Sequence, residues 1–199
     1  MEMTGEQLIH ATQAATWAAL NDPEILKACI PGCESIEKTG DNEYTVQMTA
    51  RVGPVSAKFK GKMTLSNIQA PNSYSIAFEG QGGVAGFAKG GAEVSLAPAG
   101  HDTKLSYTAK ANVGGKLAQI GSRLVDAAAN KVAGEFFAAF NEKISEKKTD
   151  HETGHHADDD HHPSPVPRDP DLPQATQGTL VFFAAGSLVV FVVALLTLI

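Results

Sequence analysis

The segment VSAKFKGKMTL, Val55 to Leu65, carries the clearest structural signal in this chain. Small or apolar residues occupy its odd-numbered positions, and polar residues, three of them lysines, occupy the even-numbered ones. A period of two is typical of a β-strand with one face in the core and the other in water. We therefore predict a strand over residues 55–65 whose lysines point outward.

Four further runs show the same alternation of apolar and polar residues. Their apolar positions are Tyr44, Val46, Met48, Ala50 and Val52; Tyr74, Ile76 and Phe78; Ala92, Val94 and Leu96; and Leu105, Tyr107, Ala109 and Ala111. Turn-forming residues separate the runs at positions 53–54, 71–73, 80–91 and 98–102. The pattern predicts an antiparallel meander of at least five strands with one apolar face.

Helical patterns flank the meander on both sides. Residues 14–20 and 23–28 predict two short helices, with Asp22 as the cap and Pro23 in the first helical position of the second. From Lys116 to about Lys147, apolar residues recur at steps of three and four: Leu117, Ile120, Leu124, Ala128, Val132, Phe136 and Phe140. An apolar sheet face needs a cover, so we predict an α+β fold in which a curved antiparallel sheet wraps around a long C-terminal helix.

The charge distribution points to one domain over residues 1–148. The 199-residue chain has a formal net charge of −6, but residues 1–148 hold 15 acidic and 15 basic side chains. Because phosphate contacts need an excess of basic residues, this neutral domain argues against nucleic acid as a partner.

Residues 149–178 predict a disordered linker, because they lack the apolar residues that build a core. Their composition is dominated by His151, His155, His156, His161 and His162, by Asp158, Asp159 and Asp160, and by five prolines. Such a tract is either a solvated tether or a site for a divalent transition metal, and the residue pattern leaves both readings open.

Residues 179–199 predict a C-terminal transmembrane anchor. The last twenty residues, Leu180 to Ile199, contain no charge, and fourteen of them are Leu, Ile, Val or Phe. As a helix they would reach about 30 Å, the thickness of the hydrocarbon core. The chain opens without a signal-peptide pattern and has only two cysteines, so we expect a single-pass membrane protein with its domain on the cytoplasmic side.

The domain offers few residues for catalysis. Its histidines are His10 and His101, and neither belongs to an arrangement typical of nucleophilic catalysis. Cys29 and Cys33 are separated by three residues, not by the two of a redox or zinc motif, and are expected to bracket a turn. We therefore predict no catalytic residues, no metal site and no covalently bound cofactor, and we expect that the protein is not an enzyme.

Many of the predicted inward-facing residues are small, which favours a cavity between the sheet and the helix. Its expected apolar lining suits a lipid-like ligand and comprises Trp17, Phe59, Met63, Ile76, Phe78, Phe87, Tyr107, Leu117, Ile120, Leu124 and Phe136. Phe87 and Leu117 adjoin glycine-rich turns and are candidates for its mouth. The alternative is that these residues fill a closed core.

Outward-facing cations form a basic strip, which we define as Arg51, Lys58, Lys60 and Lys62. The strip is either a solvated sheet face or a docking surface for a partner protein or anionic lipid head groups.

Five sequence blocks carry a family resemblance. They are Leu20-Asn21-Asp22-Pro23; Cys29-Ile30-Pro31-Gly32-Cys33-Glu34; Val52-Gly53-Pro54-Val55 with Phe59-Lys60-Gly61; Gly86-Phe87-Ala88-Lys89-Gly90; and Val113-Gly114-Gly115-Lys116-Leu117-Ala118-Gln119-Ile120-Gly121. The order of strand, two short helices, meander and long helix resembles the helix-grip fold of the SRPBCC superfamily, which includes START domains. Within it, residues 1–145 are similar to the CoxG family of carbon monoxide dehydrogenase.

The resemblance implies a non-catalytic accessory of the molybdenum-containing carbon monoxide dehydrogenase. Such a protein would recruit the dehydrogenase to the membrane bilayer and hold a quinone, menaquinone or ubiquinone, in its apolar cavity to couple CO oxidation to the respiratory chain. Two alternatives remain at this point: a purely structural anchor without ligand, and an enzyme of the same fold that acts on a hydrophobic small molecule.

Overall fold

Seven antiparallel strands form one sheet in the computed structural model, which describes residues 2–52 and 55–152. The strands are β1 (Glu2–Ile9), β2 (Cys33–Lys38), β3 (Glu43–Val52), β4 (Val55–Gln69), β5 (Ser73–Gln81), β6 (Phe87–Ala99) and β7 (Asp102–Gly114), in the spatial order β1-β7-β6-β5-β4-β3-β2. The helices are α1 (Gln13–Leu20), α2 (Pro23–Cys29), α3 (Lys116–Gln119) and α4 (Ser122–Glu152), with a 3₁₀ turn at Gly83–Ala85.

The register of the sheet confirms the predicted meander. Met63 on β4 lies between Tyr44 on β3 and Phe78 on β5, and all three are buried. The intervening Lys60 and Lys62 are exposed on the outer face. The apolar and polar faces are therefore those that the alternation predicts, and α4 covers the apolar one.

Both short helices begin at the predicted kind of cap. The hydroxyl of Thr12 accepts a hydrogen bond from the N–H of Ala15, and the carboxylate of Asp22 accepts one from the N–H of Glu24 at 3.0 Å. Pro23 occupies the first turn of α2, where its missing N–H costs no helical hydrogen bond.

The glycine-rich stretch 80–91 was predicted as a turn, and this is wrong for most of it. Gly80 lies in β5 and pairs with Gly61, and Gly90 and Gly91 pair inside β6. A Cβ on Gly90 would overlap the ring of Phe78, so glycine is required there by the packing of a neighbouring strand. Only residues 82–86 form the connection.

The long C-terminal helix is interrupted, contrary to the prediction of one continuous helix from Lys116. Gly121 has φ +93° and separates α3 from α4, and Gly115, before α3, has φ +83°. The interruption restarts the helix in another phase, so that Val125, Ala129 and Ala133 are buried and Leu124 is exposed. The α4 helix then continues four residues beyond the predicted end of the domain, to Glu152.

Strand β2 was not predicted, because Cys33–Lys38 shows partial exposure on both faces instead of a clear alternation. The expected turn between the cysteines is present: Gly32 has φ +73°, and β2 begins at Cys33.

Asn141 on α4 covers the end of the edge strand β1. Its carboxamide oxygen accepts a hydrogen bond from the N–H of His10 at 3.1 Å, and its amide nitrogen donates one to the carbonyl of Leu8 at 3.1 Å. The side chain thus supplies the pair of hydrogen bonds that a neighbouring strand would make.

A contact between glycines holds the 3₁₀ turn against the end of β7. A Cβ on Gly86 would overlap the carbonyl oxygen of Gly114, and one on Gly115 would overlap the Cα of Gly86. We call Gly86, Gly114 and Gly115 the glycine contact.

Most of the predicted linker and the whole predicted anchor, residues 153–199, lie outside the described residues. Within the described ranges, none of the helices combines the length and the apolar character needed to cross a membrane.

We predict that Gly86→Ala lowers the free energy of unfolding by about 3 kcal/mol, because it combines a steric overlap with φ +124°. Gly83→Ala is the matched control: its φ is +60° and its Cβ would meet nothing within 4 Å, so we expect a loss of about 1 kcal/mol. Urea unfolding of both variants measures the difference. Equal losses would show that the glycine contact does not constrain the fold.

Candidate ligand-binding site

The space between the inner face of the sheet and α4 is filled by one apolar core. Seven residues of the predicted lining are buried in this core: Phe59, Met63, Ile76, Phe78, Tyr107, Leu117 and Phe136. Trp17 and Ile120 are partly buried and pack against it. The structure therefore brings nine of the predicted residues together.

Phe87 and Leu124 lie at the surface instead of in the interior. Phe87 is 49% exposed and Leu124 is 50% exposed, and Val84, in the 3₁₀ turn, is 83% exposed. Phe87 is paired with Gly114 at the end of β7, and the 3₁₀ turn adjoins α3. We call Val84, Phe87 and Leu124 the exposed apolar end.

Leu117 separates the exposed apolar end from the core. It lies on α3, a four-residue helix bounded by Gly115 and Gly121, and its side chain is fully buried. Because a Cβ on Gly121 would meet nothing within 4 Å, the open space at this hinge leaves room for α3 to move. Of the two predicted mouth residues, the structure places Phe87 outside this short helix and Leu117 beneath it.

Aromatic rings of α4 dominate one side of the core. Phe136 stacks on Phe140 at a centroid distance of 5.5 Å, and Tyr107 stacks on Phe137 at 5.9 Å. Phe137 was not predicted, because the stripe of the uninterrupted helix passes through Phe136 alone.

Tyr44 is the polar group that sequence analysis missed. The residue is 4% exposed, and its hydroxyl has no hydrogen-bond partner among the described residues. Burial raises the pKa of the hydroxyl, which keeps it protonated and able to donate a hydrogen bond. An apolar interior with one unpaired donor can hold an apolar molecule that carries an acceptor oxygen.

The basic strip is only partly available for docking. Lys58 Nζ lies 3.0 Å from Glu34 Oε1, and Lys62 Nζ lies 3.3 Å from Glu43 Oε2. Hydrogen bonds from Thr49 and then Lys58 hold the pKa of Glu34 below its ordinary value. Arg51 and Lys60 are exposed and form no ion pair with any described residue.

A groove of about 640 Å³ crosses the outer face of the sheet. Its lining is mostly polar and includes Thr4, Glu6, Ser75, Glu93, Ser106 and Thr108. The groove is open to water and separated from the apolar core by the sheet, so it does not correspond to the predicted apolar cavity.

Both cysteines are free thiols. Burial raises the pKa of Cys29 and that of Cys33 to about 11, so both are protonated at neutral pH and are poor nucleophiles and ligands. Among the described residues, no group of three or more His, Cys, Asp or Glu side chains comes together to hold a metal ion.

Comparison with protein families gives a match over residues 5–145 to CoxG, the family named for the G component of carbon monoxide dehydrogenase. A comparison with curated proteins finds no match.

Solved structures resemble this fold. A conserved protein from Geobacillus kaustophilus is 30% identical with a TM-score of 0.70, and the match covers 74% of this chain and 97% of that one. The Zhui aromatase/cyclase from Streptomyces sp. R1128 is 11% identical with a TM-score of 0.54, covering 74% and 95%. A START superfamily protein from Mycobacterium smegmatis is 12% identical with a TM-score of 0.54, covering 73% and 98%. The last two show a shared fold alone.

We predict that Cys33 alkylates slowly in the folded protein. With a pKa of about 11 instead of 9.0, its thiolate fraction near pH 8 is about a hundred-fold smaller. The rate of reaction with iodoacetamide, followed by mass spectrometry, should rise about tenfold per pH unit up to about pH 10. In urea the rise should level off near pH 9, and the same levelling in the folded protein would contradict the prediction.

Proposed function

The chain belongs to the CoxG family of carbon monoxide dehydrogenase, and from this premise we propose that it is a membrane-anchored accessory protein of such a dehydrogenase. In this proposal the domain over residues 5–145 binds a quinone in its apolar interior and recruits the dehydrogenase, so that CO oxidation is coupled to the respiratory chain. The protein is not an enzyme in its own right.

The hydroxyl of Tyr44 is the observation that carries the quinone part of the proposal. A quinone has a planar apolar ring, an apolar isoprenoid chain and two carbonyl oxygens that accept hydrogen bonds. Tyr44 offers one donor inside an otherwise apolar interior, beside Met63 on β4. An unpaired buried hydroxyl costs about 1–3 kcal/mol, which a carbonyl acceptor from a ligand would remove.

Binding requires that side chains of the filled core make room. The proposed route starts at α3, because the hinges at Gly115 and Gly121 allow this helix to move as a unit with Leu117. Movement of Leu117 out of the core would open the interior towards the exposed apolar end.

Residues 149–199 supply the membrane part of the proposal. Residues 179–199 act as a single-pass anchor, and the linker that precedes them lets the domain, on the cytoplasmic side, reach both the bilayer and the dehydrogenase. The uncharged composition of the last twenty residues supports this role.

The absence of catalysis is supported by the positions of the histidines. His10 is more than half exposed, with Nδ1 3.4 Å from Asp102 Oδ2, and His101 lies in the exposed turn between β6 and β7. Neither faces the apolar interior.

A structural anchor without ligand is the second candidate function. The filled core favours it, because Phe59, Met63, Leu117 and Phe136 are almost completely buried among other side chains. The two candidates differ in whether the domain itself retains an extractable quinone.

We expect quinone in organic extracts of both the full chain and a fragment of residues 1–152, purified in mild detergent and analysed by mass spectrometry. The fragment ends at Glu152 because α4 extends to that residue. Quinone in the full chain alone would contradict the proposal and favour the structural anchor, since it would then derive from lipid carried by residues 153–199.

Tyr44→Phe is expected to weaken quinone binding about 3- to 10-fold, the value of one hydrogen bond, while leaving the free energy of unfolding unchanged or slightly higher. Tyr107→Phe is the matched control, because Tyr107 is also buried but its hydroxyl is not among the unpaired groups. Titration of the fragment with a short-chain quinone measures binding, and urea unfolding measures stability. Equal affinity of both variants and the unmodified fragment would contradict the role of Tyr44.

A further inference from the structure

The exposed apolar end is unusual because its side chains are large and share one end of the fold. Val84 stands in the 3₁₀ turn, Phe87 begins β6 and Leu124 lies in the first turn of α4. Single exposed apolar residues are common on protein surfaces, but neighbouring ones beside a hinged helix point to a contact surface.

Cations flank these apolar residues. Lys116 opens α3 and Arg123 lies next to Leu124 on α4, and both are exposed. In the part of the chain that the structure describes, neither forms an ion pair. Arg51, at the end of β3, adds a third exposed cation at the same end of the sheet, whereas Asp126 is the acid that follows on α4.

We propose that this end of the domain docks on an anionic lipid bilayer, with Val84, Phe87 and Leu124 entering the head-group region and Lys116 and Arg123 contacting lipid phosphates. Large apolar side chains beside basic ones are the combination that binds the surface of anionic membranes. The inference extends the proposed function by naming a second membrane contact, on the folded domain, apart from the predicted anchor.

The tether allows this orientation. Asn141 binds the far end of β1, so α4 runs away from the exposed apolar end and Glu152 lies at the opposite end of the domain. At 1.5 Å per residue the 31-residue helix is about 46 Å long. Residues 153–178 reach up to about 90 Å when extended, which is enough for the domain to turn this end towards the bilayer that holds residues 179–199.

Docking at this end would bring the hinged α3 to the membrane surface. A ligand released from the hydrocarbon region would then pass beside Leu117 without crossing water. The location of the exposed apolar end thus favours a bilayer over an acidic protein surface as its partner, because a protein partner would not require apolar side chains beside the route to the interior.

Vesicle co-sedimentation of the 1–152 fragment tests the proposal. Its independent folding is supported by the Geobacillus kaustophilus structure, 97% of which is matched by 74% of this chain. We expect binding to vesicles of phosphatidylcholine with about one-third phosphatidylglycerol, weaker binding to pure phosphatidylcholine, and a further decrease at high salt. Absence of binding to the anionic vesicles would overturn the proposal.

Two double variants and their matched controls locate the contact. Val84→Ser with Leu124→Gln should weaken binding about tenfold, and Lys116→Gln with Arg123→Gln about thirtyfold. Phe87 is left unchanged because its ring lies against Gly114. Leu8→Gln is the apolar control, since Leu8 is 48% exposed at the other end of the sheet. Lys27→Gln with Lys131→Gln, on α2 and in the middle of α4, is the charge control.

The proposal requires that the controls bind like the unmodified fragment. Equal losses in variants and controls would overturn it, because they would show attraction by overall charge alone. Loss of dehydrogenase recruitment by the variants, with vesicle binding unchanged, would assign this end to the protein partner and also overturn it. Quinone extraction reports on the proposed function separately: a fragment that retains quinone but does not bind vesicles would leave the ligand role standing without this contact.

Discussion

The placement of α4 over the sheet is the constraint on which the rest of the structure depends. Gly121 breaks the helix and thereby selects which residues face the sheet: Val125, Ala129 and Ala133 enter the core, and Leu124 stays outside. One glycine therefore determines both the packing of the interior and the apolar character of the surface at the start of α4. It also separates α3, with Leu117, as a short unit that can move without disturbing the long helix.

The interior combines close packing with one unpaired polar group. Tyr44 lies among apolar side chains, where a hydroxyl without a partner is unfavourable, and most buried polar groups in proteins are paired. The polar chemistry on the outer face is different, since ion pairs such as Lys58–Glu34 and Lys62–Glu43 are exposed and contribute little to stability. The two faces of the sheet therefore have separate roles: the outer face keeps the domain soluble, and the inner face determines what it can hold.

The sequence predicted the parts of the fold that follow from a simple period. The alternation in residues 55–65 identified β4 and its faces, and Asp22 with Pro23 identified the start of α2. The break at Gly121 escaped prediction because the apolar residues on both sides also fit one continuous helix, and glycine is tolerated inside helices. Tyr44 was recognised as inward-facing, but whether a hydroxyl finds a partner depends on residues distant in sequence. The exposure of Phe87 depends likewise on the glycine contact between two loops.

The side chain of Asn141 has a further consequence for a protein held at a membrane. Molecules confined to a surface collide more often and with fewer orientations than molecules in solution, so an unprotected sheet edge would promote strand pairing between neighbours. Asn141 occupies the hydrogen-bonding groups at one end of β1, and the carboxylates of Glu2 and Glu6 lie along the remaining part of the same strand. Like charges would repel a second copy brought edge to edge. The domain is thereby suited to crowding in two dimensions without polymerising through its sheet.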